Sequence, residues 1–551
     1  MKKTRLHINR QLHGWVGILP MALLGAWMMT ACSLDEHPKD QIEEEQLYNN
    51  SDNIYRHTIS TLYSYIGGNS DGQGLQGTCR GVYDLQTFGS DEALLPTRGV
   101  DWYDGGIWQA LYKHSWTPDH EVIKNSWYYL YKVIAMCNKS IETIFAHKDK
   151  LSPVEAELYV KEARALRAIY YWYLLDLFGR VPIVVSTDVS MNEVKQADRS
   201  EVFSFVRQEL EEVLPWVPDH NSTENSEYYG RVTQAVVAFV LAKLYLNAEV
   251  YTNDDWTHQP RMSGKDMVFN IEGKKKNAWE ACIYYCDMLK DRGYQLEEDY
   301  LKNFSLDNDH SKENIWTIPM DRVLFFNQQQ NIFRSYHWRH AAAFGFLGEN
   351  GTSSTLTTLK VNGYDTPDED ERFKANYWSG LILDPNGIFV SDKEGAPLVY
   401  YPLEVEIVLT GKPHMETAGA RMKKYEIDPD AAQDGKVMDN DIVLFRYADA
   451  LLMKAEAKIR NGEDGKDEFE MVRERSLGSP RPATLDNIYD ERLIELAWEG
   501  WRRNDMIRFD RYRSEYTGAD AVDESDHHTI VFPIPSAAMD VNNNLVQNPG
   551  Y

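Results

Sequence analysis

Cysteine is scarce in this chain, with five among 551 residues, at Cys32, Cys79, Cys137, Cys282 and Cys286. The four after Cys32 are too few for a disulfide-built scaffold. Cys282 and Cys286 stand four apart in a helical pattern, hence on one face. With no partner histidines nearby they read as core thiols, not as a metal site. Positive charge is short too: 58 Lys and Arg against 85 Asp and Glu leave a net charge of −27, with no basic cluster to interrupt it. A body this acidic repels phosphate backbones, so nucleic acid is a poor partner. Beyond the N-terminal segment no apolar run is long enough to cross a bilayer.

Catalytic signatures are missing as well. The chain has no His-Glu-x-x-His, no Gly-x-Ser-x-Gly elbow and no P-loop. The run from Gly72 to Gly77 has dinucleotide-loop spacing but neither a preceding strand nor a following amphipathic helix, so it reads as a flexible loop. His337 and His340 lack an acidic or cysteine companion at ligand spacing. Asp307-Asn308-Asp309 starts like a calcium loop and then lacks the glycine and closing glutamate, although loops this acidic leave room for a structural calcium ion. No other cofactor is implied, and 85 acids offer no way to single out a glycosidase pair.

What the chain does have begins at its N-terminus. Lys2, Lys3, Arg5 and Arg10 form a basic head, an apolar run follows from Trp15 to Met29, and it closes on Met29-Thr30-Ala31-Cys32. This reads as a secretory signal over 1–31, cut before a cysteine whose thiol takes a lipid anchor. One fatty chain holds only marginally, so stable attachment at Cys32 needs more than one. The expected mature protein of 520 residues carries a tether over 32–45 and lies outside the cytoplasm.

Residues 46–300 read as helices with short connections. Ser152-Pro153-Val154-Glu155 is a capping box with proline at the first helical position, and Gly179 supplies the stop. Similar patterns cover 119–147, 200–214, 232–251 and 277–291, suggesting stacked helical hairpins. Residues 301–435 are irregular, with short β-like runs such as Ile315–Ile318, as befits binding loops. Helical order is expected again over 441–460, capped by Asn461-Gly462, and over 486–509, before a tail docked on the body.

The C-terminal third resembles the SusD/RagB family of outer-membrane nutrient-binding lipoproteins. The likeness lies in Phe445–Ala457, Glu491–Phe509, Phe532-Pro533-Ile534-Pro535 and Gln547–Tyr551, and upstream in Ala168–Gly179 and Leu244–Ala248. It implies a mainly α fold, a tetratricopeptide-like superhelix over 46–300 with a loop-rich half over 301–551 packed on it. It also implies oligosaccharide capture at the cell surface and handover to a SusC-like TonB-dependent porin, over which the lipoprotein closes like a lid, without bond cleavage. Ser33-Leu34-Asp35-Glu36 is similar to the acidic signal that sends such lipoproteins to the outer face. RagB-like members take peptides, so a peptide or glycopeptide receptor is the runner-up, and a lipid-anchored glycosidase the third reading. The charged Glu495, Glu499, Arg502, Arg503 and Arg508 fall at three- and four-residue steps, as in an ion-paired helix that locks the fold.

A sugar ring offers an apolar C–H face and a fringe of hydroxyls, so a site for it needs an aromatic platform and polar groups in the ring plane. Two stretches supply these. The loop 91–106 gathers Arg98, Asp101, Trp102 and Tyr103, with Trp108 just beyond. The irregular half offers Tyr336, Trp338 and Arg339. These eight residues are the expected glycan contacts, and two aromatics from distant loops meeting on one groove would form the arc.

Overall fold

The computed structural model describes residues 47–68, 73–76, 79–221, 228–321, 323, 332–431, 438–512 and 526–551. The signal segment, Cys32, the tether, Gly72 and Gly77 lie outside the described residues. Two long helices, α1 (Glu121–Ala146) and α2 (Pro153–Phe178), pack on one another. The capping box forms: Ser152 Oγ accepts from Glu155 N at 3.2 Å, and Glu155 accepts from Ser152 N at 2.8 Å. From Ala165 to Phe178 every side chain of α2 is buried, so its sequence is apolar on nearly all sides, and its two charged residues are bonded, Arg167 to Glu209 and Asp176 to Gln86.

Each next helix covers a face of the one before. α3 (Arg199–Val213) packs on α2, α4 (Gln234–Leu246) on α3, and α5 (Ala278–Asp291) on α4. α6 (Trp338–Ala343) is a short helix of the irregular stretch. α7 (Tyr447–Asn461) packs on α5 and on its own successors α8 (Lys466–Arg475) and α9 (Leu485–Glu495). α4 is buried from Ala235 to Leu246, and the one ammonium inside it, Lys243, meets Asp449 of α7 at 2.7 Å. The fold is therefore mainly α, a tetratricopeptide-like stack of helices with a loop-rich half packed on it. Among the described residues the strands are short and paired in twos, and no helix is long and apolar enough to cross a membrane. Cys79, Cys137, Cys282 and Cys286 are free thiols, the last three buried.

Two expectations need correction. Residues 442–446 are not helical: Ile442–Arg446 is a strand paired antiparallel with Asn314–Ile318, and α7 starts only at Tyr447. Its Ile-Val-Leu-Phe run, with two β-branched residues and one aromatic, is buried throughout and suits a core strand. The expected helix over 486–509 breaks into α9 and α10 (Arg502–Arg508), because Trp498 and Gly500 adopt φ of 66° and 75°. Its charges do lock the fold, but across the chain. Arg446 holds Glu495 and Glu499, Arg502 holds Asp91, and Arg508 holds Glu456.

The tail docks at the end of α2. Phe532 N donates to Leu177 O at 2.7 Å, and Asn548 Nδ2 donates to Phe178 O at 2.8 Å. Gly179 turns there with φ 69°, and a Cβ on it would stand 3.2 Å from Val531.

Candidate functional site

The two stretches singled out in the sequence share a base. Strand β1 (Ala93–Leu94) pairs antiparallel with β2 (Ser353–Ser354), so the loop that follows β1 and the loop that precedes β2 emerge side by side. Thr97 then binds the 407–409 segment, with Thr97 N on Ile407 O at 3.0 Å and Leu409 N on Thr97 O at 2.9 Å. Arg98 and Asp101 exchange backbone hydrogen bonds across a tight turn whose Gly99 has φ 70° and whose tip, Val100, is almost wholly exposed.

Trp102 follows in an unusual backbone state, φ 58°, which a bulky residue adopts only when its surroundings impose it. Here the indole Nε1 donates to Glu349 O at 2.8 Å, and the ring lies against Gly351, whose missing side chain makes the room. Trp102 is half-buried and meets the buried Trp108 edge-on at 6.3 Å. Asp104 accepts from Trp108 Nε1 at 2.8 Å and from Arg80 at 2.8 Å, pinning the turn. Asp101 is exposed, and so is Tyr103 at 54 %. On the second loop, Trp338 opens α6 and is 41 % exposed, beside an exposed Arg339. His337 caps α6 by accepting from Arg339 N at 3.2 Å. Burial and the nearby Arg421 push the His337 pKa down to about 4, so its ring is neutral and free to accept.

Three expected contacts are turned inward and are corrected to supports. Arg98 is buried, its guanidinium taken by Met415 O, Ala418 O and Ser353 Oγ at 2.7–2.9 Å. Arg421, also buried, donates to the same Ser353 hydroxyl at 2.6 Å. The pair ties the 97–99, 350–353 and 415–418 segments together, and burial lowers the pKa of both guanidiniums. Trp108 is fully buried against Phe88. Tyr336 is fully buried, stacked on His340, with its hydroxyl accepting from Trp378 Nε1 at 2.5 Å. Hydrogen-bonding capacity alone does not tell a rim residue from a strut, and all three are struts.

Asp101, Trp102, Tyr103, Trp338 and Arg339 therefore keep surface available. Among the described residues the rings of Trp102 and Trp338 do not touch; each is carried by its own segment, Trp102 by the turn after β1 and Trp338 by the start of α6. Glu349, Gly351 and the Arg80–Asp104 pair were not foreseen, and only Gly351, inside an otherwise polar loop, left a trace in the sequence. No group of three or more His, Cys, Asp or Glu among the described residues is arranged to hold a metal ion. The arrangement offers part-exposed rings and exposed polar groups, which suits stacking and hydroxyl recognition.

Comparison with known proteins agrees with this architecture. Residues 409–551 match the model of the SusD family, and residues 96–246 match that of starch-binding proteins associating with outer membrane. The starch-binding protein SusD of Bacteroides thetaiotaomicron is 24 % identical over 529 residues, covering 87 % of each chain. A SusD-like protein of Bacteroides ovatus is 24 % identical over 433 residues, covering 75 % of this chain and 70 % of that one. Surface glycan-binding protein A of B. thetaiotaomicron, solved with laminarihexaose, superposes with a TM-score of 0.66 at 19 % identity, covering 90 % of this chain and 99 % of that one. A laminarin-binding SusD-like protein superposes with a TM-score of 0.68 at 19 % identity, covering 91 % and 100 %. SusD-type models thus match two separate segments of the chain, 96–246 and 409–551, and the solved SusD-like proteins share its fold.

Proposed function

We propose that the protein is a surface glycan-binding lipoprotein of the outer membrane. It is anchored at Cys32, faces the exterior, and passes oligosaccharide to a SusC-like TonB-dependent porin without cleaving it. The observation that carries this is Trp102, held half-exposed in a strained backbone by the Glu349 carbonyl and Gly351, next to the exposed Tyr103, with a second exposed ring, Trp338, on the other loop. A ring fixed this way loses little freedom when a pyranose stacks on it, while Asp101 and Arg339 stand ready for hydroxyls. The starch- and laminarin-binding relatives support the same ligand class. Shallow platforms gain little dry area, so dissociation constants of about micromolar to millimolar are expected.

Affinity electrophoresis against laminarin, starch, xylan, mannan and fructan, with reducing ends assayed alongside, tests the reading. Retarded migration with no new reducing ends is expected. Hydrolysis products, or retention of peptides and of no glycan, would overturn it.

A further inference from the structure

A cleft of about 690 Å³ opens in the loop-rich half, away from Trp102. Its wall is Trp378, placed there by a two-residue ladder in which Tyr377 and Trp378 pair with Met422 and Arg421. The ladder brings the next residue, Lys423, alongside, so that its ammonium stands 4.6 Å from the centre of the Trp378 ring while donating to Lys374 O at 2.7 Å. The indole is fixed by its bond to the Tyr336 hydroxyl and by Phe344 at 5.9 Å. Leu301, 41 % exposed, and Ile427 complete the apolar lining.

The rim is polar and pre-set. Asp299 accepts from Leu301 N at 3.0 Å with one oxygen, and Glu426 accepts from Leu306 N at 2.9 Å with one oxygen. Those backbone bonds orient both carboxylates and leave the second oxygen of each for an incoming donor. Lys302, bound to Asp307 at 2.6 Å, adds an ammonium. The volume lies in the range of small-ligand sites, and a fixed aromatic wall bordered by oriented carboxylates and ammonium groups is the complement of a pyranose ring.

We propose that this cleft is a second saccharide subsite, with a sugar ring lying along the apolar wall around Trp378 and its hydroxyls on Asp299, Glu426 and Lys423; it rests on the glycan reading above. Tyr336 ties it to the first site: its hydroxyl holds Trp378, while its carbonyl accepts from Asn350 N at 2.8 Å in the loop that carries Glu349 and Gly351. Trp338 and Phe344 stand at opposite ends of α6, about 9 Å apart at 1.5 Å per residue. One long glycan engages both sites and gains affinity through effective concentration, by about 100-fold.

The test uses the full chain, two-unit oligosaccharides of the five polysaccharides named above, chosen as too short to bridge the two sites, and the polysaccharides themselves. Calorimetry is run on wild type, Trp378→Ala, Leu301→Trp (which fills the cleft from an exposed position) and Trp102→Ala/Trp338→Ala, with melting curves to show folding. Two sugars per wild-type protein, one in Leu301→Trp and in Trp378→Ala, and residual binding in the double variant are expected. Polysaccharide affinity should fall about tenfold or more in Leu301→Trp. One sugar per wild-type protein, lost wholly in the double variant and untouched by Leu301→Trp, overturns the second subsite while the glycan function stands. A wild type that binds none of the panel overturns both, and a peptide held in the cleft overturns the saccharide assignment.

Discussion

A Cβ added to Gly351 would stand 2.8 Å from Cε2 of the Trp102 indole and 3.0 Å from the Arg334 carbonyl. The glycine is therefore a condition for the platform. Without that space the ring has to leave the Glu349 carbonyl, and the left-handed backbone at Trp102 loses what holds it. Gly351→Ala is expected to weaken glycan retention about tenfold or more, with a stability loss of about 1–3 kcal/mol from overpacking. Affinity electrophoresis and denaturant titration on the same sample check both parts. Unchanged retention would show that Trp102 carries no ligand.

The exposed rings and the buried ones should separate cleanly under substitution. Trp338→Ala, at a 41 % exposed position, is expected to reduce retention sharply, without abolishing it, while the melting temperature barely moves. Trp108→Ala removes a fully buried ring that touches Phe88 and Trp102, and is expected to lose about 3–5 kcal/mol. If Trp338→Ala unfolds the protein, or if it leaves retention at the wild-type level, Trp338 is not a platform.

Much of this was legible in the residues. Ser152 and Glu155 announce α2 because capping is local, and the Asn461-Gly462 stop of α7 is local too. The strand Ile442–Arg446 was not legible, since its partner Asn314–Ile318 lies more than a hundred residues upstream. The same holds for the site. Trp102 and Trp338 declare an aromatic loop by type, but whether Arg98 faces a ligand or three backbone and side-chain acceptors depends on residues 353, 415 and 418. Trp378 went unnoticed because its partners, Tyr336 and Lys423, approach from distant segments.

Glu92, just before β1, gives the base of the site a pH dependence. It is fully buried; one carboxyl oxygen accepts from Trp498 N, and the other has no partner among the described residues. Burial raises its pKa from 4.5 to about 7, so the folded state holds this proton more tightly than the unfolded chain does. Stability from this group is therefore fully present below about pH 4.5 and falls as pH rises to about 7, by up to about 3 kcal/mol. Glu92→Gln is expected to be more stable than wild type at pH 8 and no more stable at pH 4, measured by denaturation midpoints. A constant difference across that interval would show that Glu92 does not titrate in the fold.

Arg446 stands where the strand Ile442–Arg446 ends and α7 begins, and it joins three carboxylates distant in sequence. Its Nη1 donates to Glu313 at 2.8 Å and to Glu495 at 2.6 Å, while Nε and Nη2 both reach Glu499 at 2.8 Å. Removing this guanidinium leaves buried carboxylates short of counter-charge, whereas removing both sides of a pair does not. Arg446→Met is thus expected to cost about 3–5 kcal/mol at pH 7, and adding Glu499→Gln should recover part of that loss. Its arginine neighbours hold the Glu495 pKa well below the usual carboxylate range in wild type. That stabilisation exists above the unfolded carboxylate pKa and is lost as pH falls. The deficit of the single variant should accordingly be largest at neutral pH and shrink toward pH 4, where its orphaned carboxylates take up protons. Denaturant midpoints for wild type, the single variant and the double variant at pH 7 and pH 4 decide the matter. A double variant less stable than the single would mean that Glu499 is held chiefly by Lys424, its other ion-pair partner, and not by Arg446.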